Sequence, residues 1–338
     1  MTDASAAKRT YIIVIASVLA AGVCAFIGGQ WLSPLILFSD SPPEGMPSDL
    51  FFAHRKILLD FRIPRMLAGF VAGAGLAAGG MAYQALFRNP LATPYTLGAA
   101  SGAALGAAIA TVFGATASGA ALSGLSISAA AMIGALASQT FVFWVARSRG
   151  PFGGDALLLS GVAVSFILSS LALLAQFLAT PDQNWKIVHW LMGNLSARQY
   201  GDVALAAGVV LAGAALIGAR GRELDLLLTG EDIALSRGVD VGRLRIELFV
   251  SVSVIAGAIV SRFGPIGFVG IIAPHICRMI VGSSHRHLFP ATLAFGGAFL
   301  VMADTIARSV WSASELPVGV ITAIVGGGFF IALLMRKG

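Results

Sequence analysis

Apolar stretches of about twenty residues follow one another along almost the whole sequence, separated by short polar connections. A helix of about twenty residues crosses the hydrocarbon layer of a bilayer. Because no water is present there to satisfy the backbone, each stretch is expected to be helical. The predicted fold class is therefore an all-α membrane protein with ten transmembrane helices in a single domain, residues 1–338. The predicted spans are 11–31, 66–87, 96–113, 121–146, 156–179, 203–219, 246–262, 266–281, 289–307 and 317–335.

The composition agrees with a lipid-embedded chain, since 57% of the residues are hydrophobic and only 11% are charged. Soluble domains carry about 25% charged residues. The 41 glycines allow helix backbones to approach closely in a membrane. A four-residue glycine spacing predicts that the spans at 66–87 and 96–113 are close-packed. The glycines concerned are Gly69, Gly73, Gly75, Gly79, Gly98, Gly102 and Gly106.

The distribution of basic residues predicts the orientation. The termini and the connections on their side of the membrane hold fourteen Lys and Arg residues, against eight in the other connections. By the positive-inside rule, both termini are predicted to be cytoplasmic. Lys8 and Arg9 precede a first span that is too long for a signal peptide and is interpreted as a retained helix. No continuous basic face is present, so the net charge of +6 reflects membrane topology, and no nucleic-acid partner is expected.

Two connections resemble each other. FRNPLATPYTLG, residues 87–98, joins the second and third spans, and RFGPIGFVGIIAP, residues 262–274, joins the seventh and eighth. Each combines aromatic, basic, proline and glycine residues, and the predicted topology puts them on opposite sides of the membrane. The pattern predicts an inverted internal repeat, a plan that is common in transporters.

The segment DFRIPRMLAGF, residues 60–70, places Arg62 and Arg65 on either side of a proline at the predicted outer end of the second span. One interpretation is interfacial anchoring, in which the arginine stems lie along the helix and the charged groups lie in the lipid headgroup layer. The alternative is a docking site for an acidic partner outside the membrane.

The longest predicted cytoplasmic connection, residues 219–245, mixes acidic and basic residues around a helical pattern. A connection between two neighbouring helices needs only a few residues. We therefore expect a soluble helix pair that lies along the cytoplasmic face and is available to a partner.

Several kinds of chemistry are disfavoured. No lysine follows a glycine, so no GxxxxGK phosphate-binding loop exists and any ATP must be hydrolysed by another subunit. His285 and His287 have a spacing that does not bring both to one helix face for a metal. Asp304, the main acid within a span, precedes Arg308 by four residues, which predicts an ion pair. A proton-driven carrier needs more buried carboxylates, and an intramembrane enzyme needs a catalytic cluster.

Six segments together carry a family resemblance, and they occur in the same order as in that family: residues 62–107, which begin with RIPR, WLMGNLS at 190–196, GEDIALSRGVDV at 230–241, residues 264–290, which begin with GPIGFVGIIAPH, ADTIAR at 303–308, and residues 315–330, which begin with ELPVG. The chain resembles the permease subunits of bacterial ATP-binding-cassette (ABC) importers for iron chelates, haem and vitamin B12. The resemblance implies a homodimer of ten-helix subunits in the bacterial inner membrane. It also implies two separate ATPase subunits that carry ATP and magnesium, a periplasmic binding protein, and no cofactor on this chain.

The resemblance assigns roles to individual residues. The arginines that meet glutamates of the binding protein in the vitamin B12 importer correspond here to Arg62, Arg65 and Arg308. The cytoplasmic gate corresponds to Asn89 and Leu91 of the NPL turn. Residues similar to those of the ATPase coupling helices are Gly230, Glu231, Ala234 and Gly238.

Three residues of the fifth span, Phe166, Gln176 and Phe177, are candidates for the wall of the translocation path, although a packing role suits each of them equally well. The leading hypothesis is a permease subunit that moves an iron chelate, such as a ferric siderophore or haem, into the cytoplasm. The alternative is an importer of vitamin B12 or another corrinoid, followed by a proton-driven secondary transporter.

Overall fold

The structure of the protein is a computed structural model. It describes residues 3–28, 31–37, 39, 41–42, 47–114, 126–148, 154–195, 199–310 and 315–336. Within these ranges the α-helices are α1 (Asp3–Cys24), α2 (Ser48–Lys56), α3 (Ile63–Leu86), α4 (Ala99–Phe113), α5 (Ile127–Arg147), α6 (Gly154–Phe177), α7 (Pro181–Leu191), α8 (Tyr200–Ala219), α9 (Gly221–Thr229), α10 (Glu231–Ser236), α11 (Val241–Phe263), α12 (Val269–Val281), α13 (His285–Val310) and α14 (Val318–Arg336).

Seven helical stretches among the described residues are long and apolar enough to cross a bilayer, and α4, α12 and α14 are shorter apolar helices. Each predicted span overlaps one of these helices. Residues 121–125, the start of the fourth predicted span, lie outside the described residues. The prediction of an all-α membrane protein is confirmed.

The first predicted span, 11–31, is wrong by seven or eight residues at each end, because α1 runs from Asp3 to Cys24. The carboxylate of Asp3 lies in the first turn, where its negative charge stabilises the helix by interacting with the positive end of the helix dipole. The helix runs without a break from Asp3 through Lys8 and Arg9, so the polar residues before the apolar stretch are helical as well. Hydropathy alone locates the apolar part of this helix and misses its polar first turns.

The second predicted span is the end of a much longer helix. α2, a π-helical segment at Ile57–Arg62 and α3 are continuous over Ser48–Leu86, 39 residues in all. At 1.5 Å per residue such a helix is about 58 Å long, nearly twice the hydrocarbon thickness. The residues before the RIPR motif therefore extend the helix beyond the apolar layer. Within the π turn, the Leu59 carbonyl accepts a hydrogen bond from the Tyr200 hydroxyl at 2.6 Å.

α3 is the centre of the bundle, with almost all of its second half buried. It packs against α8, α11, α12 and α13, while α4 packs against α5. Glycines of both spans do lie at close helix contacts, but these contacts are with other helices: Gly73 meets Gly296 of α13, and Gly102 meets Gly134 of α5. A Cβ atom on Gly102 would collide with the Gly134 carbonyl group.

The two connections that resemble each other meet inside the bundle. Leu97 in the first and Ile266 in the second are buried, and the Ile266 N–H donates a hydrogen bond to the Tyr95 hydroxyl at 3.2 Å. The helices that follow them, α4 and α12, are short, with 15 and 13 residues. Short helices at corresponding positions of two halves are typical of inverted-repeat transporters. The repeat itself stays a prediction.

The short helix α7 is absent from the sequence-based prediction. It begins with a capping box, in which the Thr180 side chain accepts a hydrogen bond from the Gln183 N–H and the Gln183 side chain accepts one from the Thr180 N–H. Gln183 also donates to the carbonyls of Thr111 and Val112 at the end of α4. A Thr-x-x-Gln pattern with proline at the first helical position is a recognisable helix start.

The bundle has two ends with different polar groups. We call the end at which α1 and α13 finish and α3, α8 and α14 begin the arginine end, because it contains the RIPR motif. The opposite end contains α9 and α10, and we call it the coupling end.

Candidate functional site

The arginine end brings together the three arginines singled out in the sequence, Arg62, Arg65 and Arg308. Arg62 Nη1 donates a hydrogen bond to the Phe26 carbonyl at 2.9 Å, and Arg308 Nη2 donates to the Cys24 carbonyl at 2.5 Å. The last carbonyls of a helix lack helical partners and lie at the negative end of the helix dipole. Two arginines from different helices therefore stabilise the C-terminal end of α1.

Arg65 is held by two carboxylates that differ in exposure. Its Nε and Nη2 donate to the two carboxylate oxygens of Asp304 at 2.8 and 2.9 Å, and its Nη1 donates to Glu315 at 2.6 Å. The side chains of Arg65 and Asp304 are 11% and 6% exposed, whereas that of Glu315 is 55% exposed. A bidentate arginine–carboxylate pair of this kind fixes the orientation of both groups.

The predicted partner of Asp304 was Arg308, and that prediction is incomplete. Arg308 Nε lies 3.9 Å from the Asp304 carboxylate and makes no hydrogen bond there. Arg65 is the main partner because its planar guanidinium faces both carboxylate oxygens. The helical spacing identifies a neighbour of Asp304 on α13, and the three-dimensional fold supplies a closer one from α3.

A cleft of about 300 Å³ opens beside the three arginines. Gly28 forms part of its wall, and a Cβ atom there would lie 2.7 Å from Arg62 Nη2. Glycine therefore allows the Arg62 guanidinium to lie against the backbone. Among the described residues that line the cleft are three arginines and one solvent-exposed carboxylate, that of Glu315, and this balance of charge suits an entering negative group. The lining residues are Gly28, Ile57, Phe61, Arg62, Arg65, Arg308 and Glu315.

The anchoring interpretation assumes arginine side chains that extend into the lipid headgroup layer. Arg65 and Arg308 are instead nearly buried within the protein, where their donors are used by carboxylates and backbone carbonyls. The structure thus favours a defined polar cluster over loose interfacial anchors. The same cluster is the place where the docking hypothesis requires positive charge.

The NPL turn lies at the coupling end and closes α3. Arg88 has a φ of +47°, and the N–H groups of Arg88 and Asn89 donate to the carbonyls of Ala85 and Gln84. This pattern is a Schellman motif, a common way to end a helix. The Asn89 side-chain oxygen accepts a hydrogen bond from the Leu91 N–H at 2.9 Å, which fixes the turn. The apolar side chain of Leu91 is left exposed.

The predicted helix pair is present at the coupling end as α9 and α10. The two helices meet at Gly230, whose φ of +146° strongly favours glycine, and α10 is followed by Gly238 at φ +81°. Ala234 is buried beneath α10, whereas Ile233 and Leu235 are exposed. The small residue holds α10 against the protein, and the two larger apolar side chains are available to a partner.

Ion pairs position both short helices. Glu231 at the start of α10 accepts a hydrogen bond from Arg245 of α11 at 2.7 Å. Asp225 of α9 contacts His285 at the start of α13, with 2.6 Å between the carboxylate and Nδ1 and 2.9 Å to the backbone N–H. Burial acts to raise the pKa of the Asp225 carboxyl, but these hydrogen bonds outweigh burial and hold the pKa below its ordinary value.

The candidate path residues lie on α6, which has a broad exposed apolar surface. Phe166 and Phe177 are both exposed. A helix turns about 100° per residue, so the two phenylalanines share one face. Gln176 is partly buried and lies about 100° from Phe177 around the helix axis. The structure therefore places the two phenylalanines on one helix face, about 16.5 Å apart along the axis, and leaves Gln176 to one side.

Sequence reasoning missed three residues of the arginine end: Gly28, Tyr200 and Glu315. Glu315 lies 250 residues from Arg65 in the chain, and no periodicity links residues at such a distance. The ELPVG segment contributes to the family resemblance without indicating the contact. The Tyr200 hydroxyl is bonded to the π-helical segment before Arg62, a relation that also depends on the fold.

The fold and these sites define a multi-pass helical membrane protein of the permease class. A profile of the FecCD transport family matches residues 26–336, and the chain belongs to that family. It is 42% identical over 312 residues to the cobalamin import system permease protein BtuC of Halobacterium salinarum, covering 92% of this chain and 80% of that protein. It is 34% identical over 330 residues to the hemin transport system permease protein HmuU of Yersinia pestis, covering 97% and 95% of the two chains.

Among solved structures, the chain matches a transporter described as of the metal-chelate ABC type in an inward-facing conformation. The TM-score is 0.83 and the sequence identity 28%, with 97% of this chain and 99% of that chain covered. The similarity therefore extends over the whole bundle.

Proposed function

We propose that this chain is the transmembrane permease subunit of an ABC importer that moves an iron chelate, a ferric siderophore or haem, from the periplasm to the cytoplasm. It lies in the bacterial inner membrane with ten transmembrane helices and both termini cytoplasmic. The excess of basic residues on the side of the termini, fourteen against eight, supports this orientation. The arginine end then faces the periplasm and the coupling end the cytoplasm.

The observation that carries the proposal is the meeting of Arg62, Arg65 and Arg308 around one cleft, although they come from distant parts of the sequence. In our proposal a periplasmic binding protein docks there through acidic side chains. Partly desolvated arginine–carboxylate contacts fix the register of a complex, and the positive charge increases the rate of encounter.

The partner at the coupling end is a separate ATPase subunit, which carries ATP and magnesium, while this chain binds no cofactor. The coupling helix is shaped by Gly230, Glu231, Ala234 and Gly238. The positive φ angles of the two glycines, the ion pair of Glu231 with Arg245 and the burial of Ala234 support this role. The exposed side chains of α10 enter a groove of the ATPase. Two ATPase subunits serve one permease dimer.

The functional unit is a homodimer with the translocation path between its two copies. The exposed apolar face of α6 supports such an arrangement, because a broad apolar surface is available to a second subunit and to the path. Phe166 and Phe177 contribute to the wall, with Gln176 beside them. Asn89 and Leu91 form the cytoplasmic gate, in which the Asn89 side chain holds the turn and the exposed Leu91 side chain seals against its copy.

The substrate class follows from the family and from the relatives named above. A hemin permease and a metal-chelate transporter both match along nearly the whole chain. Vitamin B12 or another corrinoid is the second candidate, because the cobalamin permease BtuC is 42% identical. Titration of the purified binding protein with ferric siderophore, haem and cobalamin separates these substrates, and micromolar or tighter binding of an iron chelate alone supports the first.

The test of the transport function uses the permease and its co-purified ATPase in lipid nanodiscs. We expect ATP hydrolysis to rise when substrate-loaded binding protein is added, and proteoliposomes to take up substrate only with ATP. Uptake that continues without ATP and stops with a proton uncoupler would contradict the proposal and favour a secondary transporter.

A further inference from the structure

The two carboxylates bound to Arg65 differ in how easily another group can replace them. Asp304 is buried and holds two donors of the guanidinium, so its removal would leave the buried guanidinium with only an exposed partner. Glu315 accepts a single donor of the guanidinium, is largely exposed, and lies in residues 315–317, which precede α14 and are not helical. An exposed ion pair is weak because water competes with it. Glu315 is therefore the exchangeable partner.

Glu315 also occupies the part of Arg65 that an outside group would reach. Asp304 already uses Nε and Nη2, and Glu315 binds Nη1 at 2.6 Å. Glu315 and Arg65 line the same cleft as Arg62 and Arg308. A carboxylate that enters this cleft meets Arg65 at the nitrogen to which Glu315 is bound.

We propose that Glu315 is an internal substitute for an acidic side chain of the docking protein. Without the partner, Glu315 occupies Arg65, and on docking a partner carboxylate exchanges with it. The inference rests on the proposed function, because it takes the arginine cluster as the docking site. An internal competitor has a high effective concentration, so it lowers the affinity of the partner below that of an unoccupied cleft.

The exchange has a structural consequence at the start of α14. The Leu316 N–H donates a hydrogen bond to the Ala307 carbonyl at 3.3 Å, and α14 begins at Val318, three residues after Glu315. The Arg65–Glu315 contact is therefore one of the constraints on residues 315–317, which lead into α14. Docking removes that constraint.

The experiment measures binding of the periplasmic protein that stimulates ATP hydrolysis, using the complete permease–ATPase complex in nanodiscs. Glu315→Gln keeps the size of the side chain and removes its charge. We expect the variant to bind the periplasmic protein about two- to fivefold more tightly, the range that corresponds to an exposed ion pair. In an Arg65→Gln background, Glu315→Gln should give no such gain.

Asp60→Asn is the matched control, because Asp60 is an exposed acid at the same end that does not line the cleft. An equal gain from Asp60→Asn would assign the effect to overall charge and overturn the exchange. Unchanged or weaker binding of Glu315→Gln would also overturn it. Arg62→Glu distinguishes an error in the docking site from an error in the exchange. If binding survives Arg62→Glu, the assignment of the docking site is wrong. If binding is lost in Arg62→Glu but Glu315→Gln shows no gain, only the proposed exchange is wrong.

Discussion

The two ends of the bundle use the same chemistry in different surroundings. At the arginine end, Arg65 and Asp304 form a nearly buried bidentate pair. At the coupling end, Arg243 pairs with Glu247 at 2.7 Å while 73% of the arginine side chain is exposed. Breaking a buried pair costs about 3–5 kcal/mol, whereas an exposed pair contributes about 0.2–1 kcal/mol. The arginine end is thus a fixed cluster of charged groups. The coupling end is a solvated surface on which the exposed apolar side chains Ile233 and Leu235 are available to a partner.

The largest expected effect tests this contrast directly, by the same acid-to-amide change at both ends. We expect Asp304→Asn to lower the free energy of unfolding by about 3–5 kcal/mol, because the buried guanidinium of Arg65 loses its buried partner and keeps only the exposed Glu315. Glu247→Gln removes ion pairs with both Arg243 and Arg220 and should still cost less than about 2 kcal/mol, about 1 kcal/mol for each pair at most. Denaturation of the purified protein in detergent micelles measures both. Equal losses would show that burial does not separate the two ends.

The second prediction concerns the apolar contact at the coupling end. Leu235→Asp should weaken the association of the ATPase about tenfold or more, because an apolar side chain buried in an interface contributes about 1.5–3 kcal/mol. Co-purification and titration of the ATPase with permease in nanodiscs measure the change. The matched control is Leu228→Asp, an exposed leucine of α9 outside the proposed coupling helix. A similar loss of ATPase affinity in both variants would contradict the assignment of α10 as the helix that binds the ATPase.

The third prediction sharpens the geometry of the arginine end. Gly28→Ala should displace the Arg62 guanidinium, since the new Cβ would come within 2.7 Å of Nη2. We expect a cost of about 1–3 kcal/mol in stability and weaker stimulation of ATP hydrolysis by the binding protein. Gly22→Ala is the control, because nothing lies within 4 Å of a Cβ there. If both variants keep full stimulation, the position of Arg62 does not matter for docking.

The smallest expected effect is a pH dependence at the coupling end. The folded-state pKa of Asp225 is lowered from 3.8, so its contribution to stability is present above that ordinary value and is lost as pH falls through the lower folded pKa. We expect Asp225→Asn to cost less than about 1 kcal/mol at pH 6. The difference between wild type and variant should shrink below pH 3.8. A difference that grows on acidification would contradict the lowered pKa.

The sequence predicted the spans because lipid imposes one strong rule, that about twenty apolar residues in a row become a helix. It failed where other forces act. The polar start of α1 and the extension from Ser48 to Lys56 are helical although their sequences are polar, and a search for apolar stretches does not find such segments. Span boundaries followed the change in polarity, whereas the real boundaries follow caps and glycines.

The candidate site was predictable only in part. The resemblance indicated Arg62, Arg65 and Arg308, and the fold brings them to one cleft. The internal partners of these arginines, namely the end of α1 and Glu315, depend on contacts between residues far apart in the chain. Local spacing found Arg308 as a neighbour of Asp304 and could not find Arg65, which comes from another helix.

The central claim is that the arginine end is the docking site for an acidic periplasmic protein. The most direct measurement is ATP hydrolysis by the reconstituted permease–ATPase complex with and without the loaded binding protein. Two variants are compared with the wild type: the double variant Arg62→Glu with Arg65→Glu, and the milder single variant Arg62→Glu. Lys56→Glu, an exposed basic residue outside the cleft, is the control. We predict that Arg62→Glu keeps basal hydrolysis and loses the stimulation, that the double variant loses the stimulation as well, and that Lys56→Glu retains it. Full stimulation of Arg62→Glu and of the double variant would contradict the account.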